Sequence, residues 1–522
     1  MKSLQLVFDM PTHILFTQDG KWLHYNTQTK ELHTEIKIDI QNSIVVTFDE
    51  KLPYRDHYYD LKVGFKLLDF NSCSTLNFMC MKYLHKRLDK LNFNNCSPEA
   101  YRAEAIWRIW EKVSRQILKL SMLPRFELEM YFISYAYKLE NRKFKVNKDA
   151  INDEIIGLRN KFKGKNILSL SEQKAILDEL QINWKDLYSG KTNFSHKFLK
   201  ASGDQRLIDH VEVSRAKSFK DHLMGYDTDP SNPIFSADEV SYTMNTHHYI
   251  TGRVFYVNKN IQGLADRFWG EPGFKTFDYI SQEMYIYLAV FNPEMRTIFY
   301  RSGYKDFYAF MYCHMKGLKV SEAEYYEDPA RVNGRKMMKG MLIPLMNGMK
   351  ADSICWRLGL QYESMIPFFN RLEKVMEFNK NRNSMLDTLA NEKVVLISRN
   401  LGFLKSNKFD HFIKLHSEML RITKNRDFAQ YGASTFDQNI LDEYAELREN
   451  IGRRIVALRI QSLGAAIIKK AVVMLMDKGY DVVLCKHDDV TVANKGDYSL
   501  CPKIMEQAST QIIGRAIPVK VS

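Results

Sequence analysis

The sequence predicts a mixed α+β fold in which a small sheet carries acidic residues and helices make up most of the chain. Three observations predict it. The β-branched runs Val482-Val483-Leu484 and Val490-Thr491-Val492 flank the polar stretch Lys486-His487-Asp488-Asp489, which reads as a hairpin: strand up through Leu484, turn over His487 to Asp489, strand down through Val492. Far upstream, Phe277-Asp278-Tyr279 reads as a second strand end carrying a carboxylate before an apolar run. Between them Arg335, Lys339, Ile343 and Asn347 recur every four residues, a spacing that stacks them along one helix face.

Adjacent carboxylates repel, so Asp488 and Asp489 need either full solvation, as in an ordinary polar bend, or a counter-charge. A hard divalent cation such as Mg2+ meets that need, because it takes oxygen ligands and keeps positions open for substrate phosphates. Two carboxylates for metal, together with a helix face bearing Arg and Lys, are the equipment for transferring a phosphoryl or nucleotidyl group.

In this order and spacing the three stretches resemble motifs A, B and C of the family A DNA polymerases, and the resemblance runs over residues 95–522. It implies the right-hand polymerase fold, with a thumb at 121–234, the first part of the palm at 235–295, fingers at 296–440 and the second part of the palm at 441–522. A short ribonuclease H-like remnant of a 3′ to 5′ exonuclease would occupy 1–120. The implied activity is a template-directed DNA polymerase that adds deoxynucleotides to a primer 3′ end by two-metal nucleotidyl transfer, in DNA replication and without proofreading. Its implied partners are primer-template DNA and dNTPs, and its implied cofactor is a pair of Mg2+ ions, which Mn2+ could replace.

The resemblance also assigns roles. Asp278, Asp488 and the backbone carbonyl of Tyr279 would hold the metals, with Asp489 standing where the family has Glu. Arg335, Lys339, Glu283, Ile343 and Tyr308 would face the nucleotide. Lys339 would also donate a proton to the departing pyrophosphate, and Glu283 would exclude a 2′-hydroxyl. Arg253, Gln262, Asn347, Arg453, Gln461 and His487 would touch DNA. Several positions depart from the family: Tyr285 replaces Arg, Tyr308 replaces His, Ile343 replaces an aromatic, Pro344 replaces Gly, Asn347 replaces Tyr and Ala457 replaces Asn. Pro344 is expected to kink its helix. Single-subunit RNA polymerases share the Asp, Arg, Lys and Asp set, and a catalytically silent binding homologue would tolerate the departures. Glu283 argues against the first, and retention of both Asp278 and Asp488 against the second.

Taken in order, residues 1–60 offer short strand signals at 4–8, 14–16 and 44–48. A helix is expected over 98–120, with Ser97 as N-cap and Pro98 at its first position. The nuclease acids are missing: Asp9-Met10-Pro11 stands where Asp-x-Glu is needed, and Ala105 where the third-motif Asp should be, with Glu104 one position off. Residues 121–230 read as helical and basic, with Ser171 able to cap a helix. Thr251-Gly252-Arg253 and Asn260-Ile261-Gln262 are similar to family signatures at the start of the palm. His247-His248 would face opposite sides of a strand, which argues against a metal pair. Residues 361–450 read as helical and polar. From Arg453 a long helix is expected, in which Gly464, Ala465 and Ala466 allow close packing.

With 522 residues, 45% of them hydrophobic, the chain can fill the cores of roughly two to four domains. A net charge of +13 and pI near 9.1 suit a polyanionic partner. Seven cysteines without a CxxC pair point to reduced thiols rather than a structural zinc site. With no membrane-length apolar run, the expected location is cytoplasmic, in the host cytoplasm if the protein is phage-encoded. The Lys- and Asn-rich character and compact layout suit a phage or mobile element.

Overall fold

The computed structural model describes residues 13–18, 21–26, 32–33, 45–47, 58–68, 75–87, 98–140, 142, 144–165, 167–184, 194, 196–224, 239–240, 244–245, 251, 253–256, 274–398, 401–404, 406–424, 435–493 and 496–521. Signals at 4–8, Asp9, Pro11, Ser97, His247, His248 and Gln262 lie outside them.

Near the N-terminus, His13–Gln18, Lys21–Asn26 and Leu32–His33 form a three-stranded antiparallel sheet, and Val45–Thr47 pairs in parallel with Tyr58–Asp60. The expected helix follows as α1, Pro98–Lys119, and then α2, Leu123–Glu140. Together with the helix Leu61–Leu68 they enclose a core around Phe65, Trp110 and Phe126. Ala105 is fully buried in that core, where an aspartate would be desolvated.

A small helical unit comes next. Its helix Leu170–Glu179 is capped by Ser169, two residues before the expected Ser171, because Ser169 and Glu172 complete a capping box: Glu172 N donates to Ser169 Oγ and Ser169 N to the Glu172 carboxylate. The unit has its own core of Ile176, Leu177, Leu199, Leu207 and Val211.

The largest core surrounds a four-stranded sheet whose strands are far apart in sequence. These are β1, Lys275–Tyr279; β2, Val482–Cys485; β3, Asp489–Val492; and β4, Val519–Val521. They lie in the order β2-β3-β1-β4, every pair antiparallel. Helices α3, Gln282–Phe291; α4, Phe307–Lys316; and α5, Pro329–Met346, follow β1 in the chain. Residues 395–404, expected to be helical, instead form the hairpin Val395–Ser398 with Gly402–Leu404. The run Val394-Val395-Leu396-Ile397-Ser398 is a short β-branched stretch, and Gly402, which opens the return strand, has φ +68°.

The spine of this region is α6, Thr435–Asp477, 43 residues and so about 65 Å long at 1.5 Å per residue. Against it pack α2, α3, Phe378–Glu392, Asn407–Thr423 and α7, Cys501–Ile513. Small residues let neighbours approach: a Cβ on Gly464 would lie 2.9 Å from Gln282 Oε1 of α3. Gly348, just past α5, has φ +79°, and a Cβ there would lie 2.4 Å from the Arg453 backbone. Pro344 falls in the last turn of α5, so the helix loses little and runs on to Met346 before Met349 N closes it on Pro344 O. The described cysteines, Cys80, Cys313, Cys355, Cys485 and Cys501, are buried. Among the described residues no helix is long and apolar enough to cross a membrane.

Polar contacts fasten α2 along α6 and its exit. Lys469 Nζ lies 2.5 Å from Glu129 Oε2, with side chains only 1% and 6% exposed. Arg125, also buried, donates to Phe403 O of the hairpin, Tyr135 bonds Asp477, and Arg142 pairs with Asp481. Burial pushes the Lys469 ammonium below its ordinary pKa, and Glu129 opposes that shift. Removing one partner strands a buried charge. Lys469→Met should therefore cost about 3–5 kcal/mol, while Lys469→Met with Glu129→Leu should recover most of it. Comparison of urea-unfolding midpoints for the three proteins checks this; equal midpoints for single and double variants would contradict it.

Candidate active site

The expected hairpin is present: β2 ends at Cys485, His487 and Asp488 form the bend, and Lys486 N donates to Asp489 O at 2.9 Å. Burial alternates along β1, with Phe277 and Tyr279 in the core and Thr276 and Asp278 on the opposite face. On that face Thr276 Oγ1 meets Thr491 Oγ1 at 2.9 Å, and Asp278 stands directly opposite Asp489. Tyr279 N donates to Asp488 O at 2.9 Å, which ties the bend to the end of β1. Tyr279's hydroxyl bonds Met505 O of α7, so its ring anchors the strand in the core.

Burial, reinforced by Asp278, raises the Asp488 pKa, and Lys339 partly offsets this. Burial raises Asp489 to about 6, with Lys486 opposing and Asp488 and Asp278 adding to the rise. Asp278 Oδ1 and Asp489 Oδ1 are buried without a hydrogen-bond partner. Asp278 Oδ2 is held 2.9 Å from Lys520 Nζ of β4, a residue the sequence reading passed over.

From β1 the chain turns through Ser281, in the left-handed region at φ 52°, into α3, and this places Glu283 in the first helical turn. Glu283 Oε1 pairs with Arg253 Nη2 at 3.1 Å. His487 lies near both: burial and Arg253 lower its pKa, and Glu283 opposes them.

The cationic wall is α5. Gly334, Met338, Met341 and Leu342 are buried, and Val332, Arg335, Lys336, Lys339 and Ile343 share the face that lines a cleft of about 460 Å³. Asp278, Tyr279, Glu283, Tyr308, His487 and Asp488 line the same cleft. Tyr308 is buried beneath the cations, with the Arg335 guanidinium 5.6 Å and Lys339 Nζ 5.8 Å from its ring centre. Asp306 organises this wall. It caps α4 by accepting from Tyr308 N and Ala309 N, and its Oδ2 accepts from Arg335 Nε at 2.6 Å and Tyr326 Oη at 3.1 Å. An Asp just before an aromatic helical run was a visible N-cap signal.

Asn347 is the C-cap of α5, outside the lining of the cleft. Arg453 and Gln461 lie on α6, where Arg453 Nη2 pairs with Glu449 Oε1 at 2.9 Å; neither lines the cleft.

This geometry sits in a chain whose fold has a solved counterpart. The chain is similar to the POL domain of Pol1 from M. smegmatis, solved in complex with DNA primer-template and dNTP, at TM-score 0.66 and 16% identity over 89% of this chain and 80% of that one. The fold resembles a family A polymerase domain. No protein-family profile and no curated protein matches the chain.

Whether these residues suit a divalent cation can be tested on their own chemistry. Among the described residues no group of three or more His, Cys, Asp or Glu side chains is arranged to hold a metal ion. Mg2+ does not require one, since it is commonly held by one or two carboxylates with water and phosphate completing its shell. The orphaned buried oxygens of Asp278 and Asp489 are the hard donors such an ion takes.

The raised Asp489 pKa has a signed consequence. Its ionised form opposes the folded state, so the cost is full above about pH 6 and disappears below the ordinary carboxylate range, where folded and unfolded chains are both protonated. Asp489→Asn should stabilise the metal-free protein at about pH 8, by up to about 3 kcal/mol, with the gain fading as pH falls through 6 and gone near pH 4. Thermal unfolding in chelator across that range is the check; a pH-independent gain would rule out the titration.

Proposed function

We propose that the chain is a DNA-directed DNA polymerase that extends a primer by two-metal nucleotidyl transfer. The observation that carries this reading is the shared cleft, in which Asp278 near the end of β1 and Asp488 in the hairpin bend lie with Arg335 and Lys339 of α5. The polymerase-like fold supports it. In this reading residues 121–234 act as thumb, 235–295 and 441–522 as palm, and 296–440 as fingers, and primer-template DNA and dNTPs are the substrates.

Asp278, Asp488 and the Tyr279 carbonyl would hold Mg2+, with Asp489 as the secondary acid. When bound there, Mg2+ would acidify the primer 3′-hydroxyl and neutralise charge building on the α-phosphate. Arg335, aimed by Asp306, would clamp the triphosphate, and Lys339 would neutralise the departing pyrophosphate and give it a proton. Tyr308 would set the height of both cations, a role its ring contacts support. Glu283 would close the sugar side, with Ile343 packing against the nucleotide. Arg253 and His487 would meet the primer end in the minor groove, where acceptors are nearly alike for every base pair. Gln262, Asn347, Arg453 and Gln461 would touch DNA farther out. Absence of proofreading is supported by the buried Ala105.

Primer extension with Mg2+ tests the assignment. Asp278→Asn and Asp488→Asn should each lower extension by about a thousandfold or more while duplex affinity changes less than about threefold, because binding rests on many phosphate contacts and the chemistry on two carboxylates. Near wild-type extension by either variant would remove the site assignment.

Sugar choice separates this reading from an RNA polymerase. Glu283→Ala should raise ribonucleotide incorporation relative to deoxyribonucleotide by about tenfold or more. A wild-type protein that already uses both sugars equally would favour the RNA polymerase.

A further inference from the structure

Lys520 stands inside the acid cluster and has no part in the reaction derived above. Its place is set by strand pairing. β4 pairs with β1 so that Lys520 is directly opposite Asp278, and on the other side of β1 the residue opposite Asp278 is Asp489. Directly opposite residues of an antiparallel pair put their Cβ atoms about 4.5–5.5 Å apart on the same face. Three neighbouring strands therefore lay two negative groups and one positive group in a row. Lys520 Nζ is 2.9 Å from Asp278 Oδ2, while Asp489 has its own distant cation, Lys486, at 4.0 Å. The two members of the first pair differ in freedom: the Lys520 side chain is 54% exposed and the Asp278 side chain 25%. The lysine can swing into water while the carboxylate stays in place.

We propose that Lys520 is a built-in counter-cation of the acid cluster, which a divalent ion must displace from Asp278 in order to bind. The proposal rests on reading Asp278 and Asp488 as the metal-holding pair. An ammonium within hydrogen-bond distance of a carboxylate neutralises the charge that would draw the ion, and two cations cannot share that oxygen closely without repulsion. Displacement is reciprocal. Whatever the lysine contributes to holding the metal-free cluster together is subtracted from the affinity for the ion. An edge-strand lysine also serves simply to block strand addition, and that plainer role makes no demand on metal affinity.

Direct Mn2+ titration of the full chain, read by the electron paramagnetic resonance of the free ion without DNA or nucleotide, distinguishes them. Lys520→Gln and Lys520→Ala should each bind Mn2+ about three- to fivefold more tightly than wild type, Lys520→Arg should stay close to wild type, and Asp278→Asn should lose the site. In chelator the Gln and Ala variants should unfold at a lower temperature than wild type, and Mn2+ should stabilise them by more. Equal or weaker Mn2+ affinity in both, with binding still lost in Asp278→Asn, would overturn the role of Lys520 and leave the metal site standing. No Mn2+ binding by any of the proteins would overturn the metal reading as well.

Discussion

Asp278 and Asp489 face each other across an antiparallel pair, an arrangement that opposes the fold unless something positive stands nearby. Much of the structure around the site answers that repulsion. Thr276 and Thr491 form the adjacent pair on the same face and hydrogen-bond, which locks the register that forces the carboxylates together. Tyr279, bonded into α7 and to the Asp488 carbonyl, prevents the strand end from splaying to relieve the strain. Lys520 then closes the row from the far edge strand. A slip of one residue would turn Asp278 into the core and Phe277 to water, so the hydrophobic face holds the acids where their own charge would not.

Such a row of charges needs a stiff support, and α6 supplies it. Gly464 lets Gln282 of α3 come into contact with it, so the helix bearing Glu283 is seated directly on the spine. Gly348 lets the end of α5 lie against the Arg453 backbone, so the cationic wall is referenced to the same element. Acid and cation sides of the cleft thus share one rigid base. The buried Lys469–Glu129 pair joins α2 to that base. Such a pair adds little net stability over a packed apolar equivalent, but it specifies one alignment of the two helices, because any sliding would leave both charges desolvated and alone.

The parts of this arrangement legible in the sequence are those with a local signature. The hairpin at 482–492 announced itself by β-branched runs around a polar bend, and Arg335, Lys339 and Ile343 by helical spacing, and the structure puts its bend residues His487 and Asp488 on one cleft with those three. Asn347 obeyed the same spacing but missed the face, because the helix ends one residue before it. The hairpin at 395–404 was hidden within a polar helical stretch. Lys520 was invisible for a different reason: it acquires meaning only from being opposite Asp278, a partner 242 positions away whose pairing no local pattern encodes. Asp306 lay between these cases. Its capping role was readable, but its hold on Arg335 depends on how α4 and α5 pack.

The cleft is organised as a set of internal ion pairs: Asp278 with Lys520, Glu283 with Arg253, Arg335 with Asp306. Each pair cancels charge that would otherwise repel its own kind. The same pairing means that any ligand of the cleft gains affinity only by what it offers beyond the partner it replaces. The pairs are not equally replaceable. Asp306 is buried and holds Arg335 through two nitrogens while leaving the rest of the guanidinium toward the cleft, so that pair aims a cation without surrendering it. Lys520 is exposed and held through one atom, and it can leave. Lys339 leans on the Tyr308 ring and has no carboxylate within ion-pair distance among the described residues.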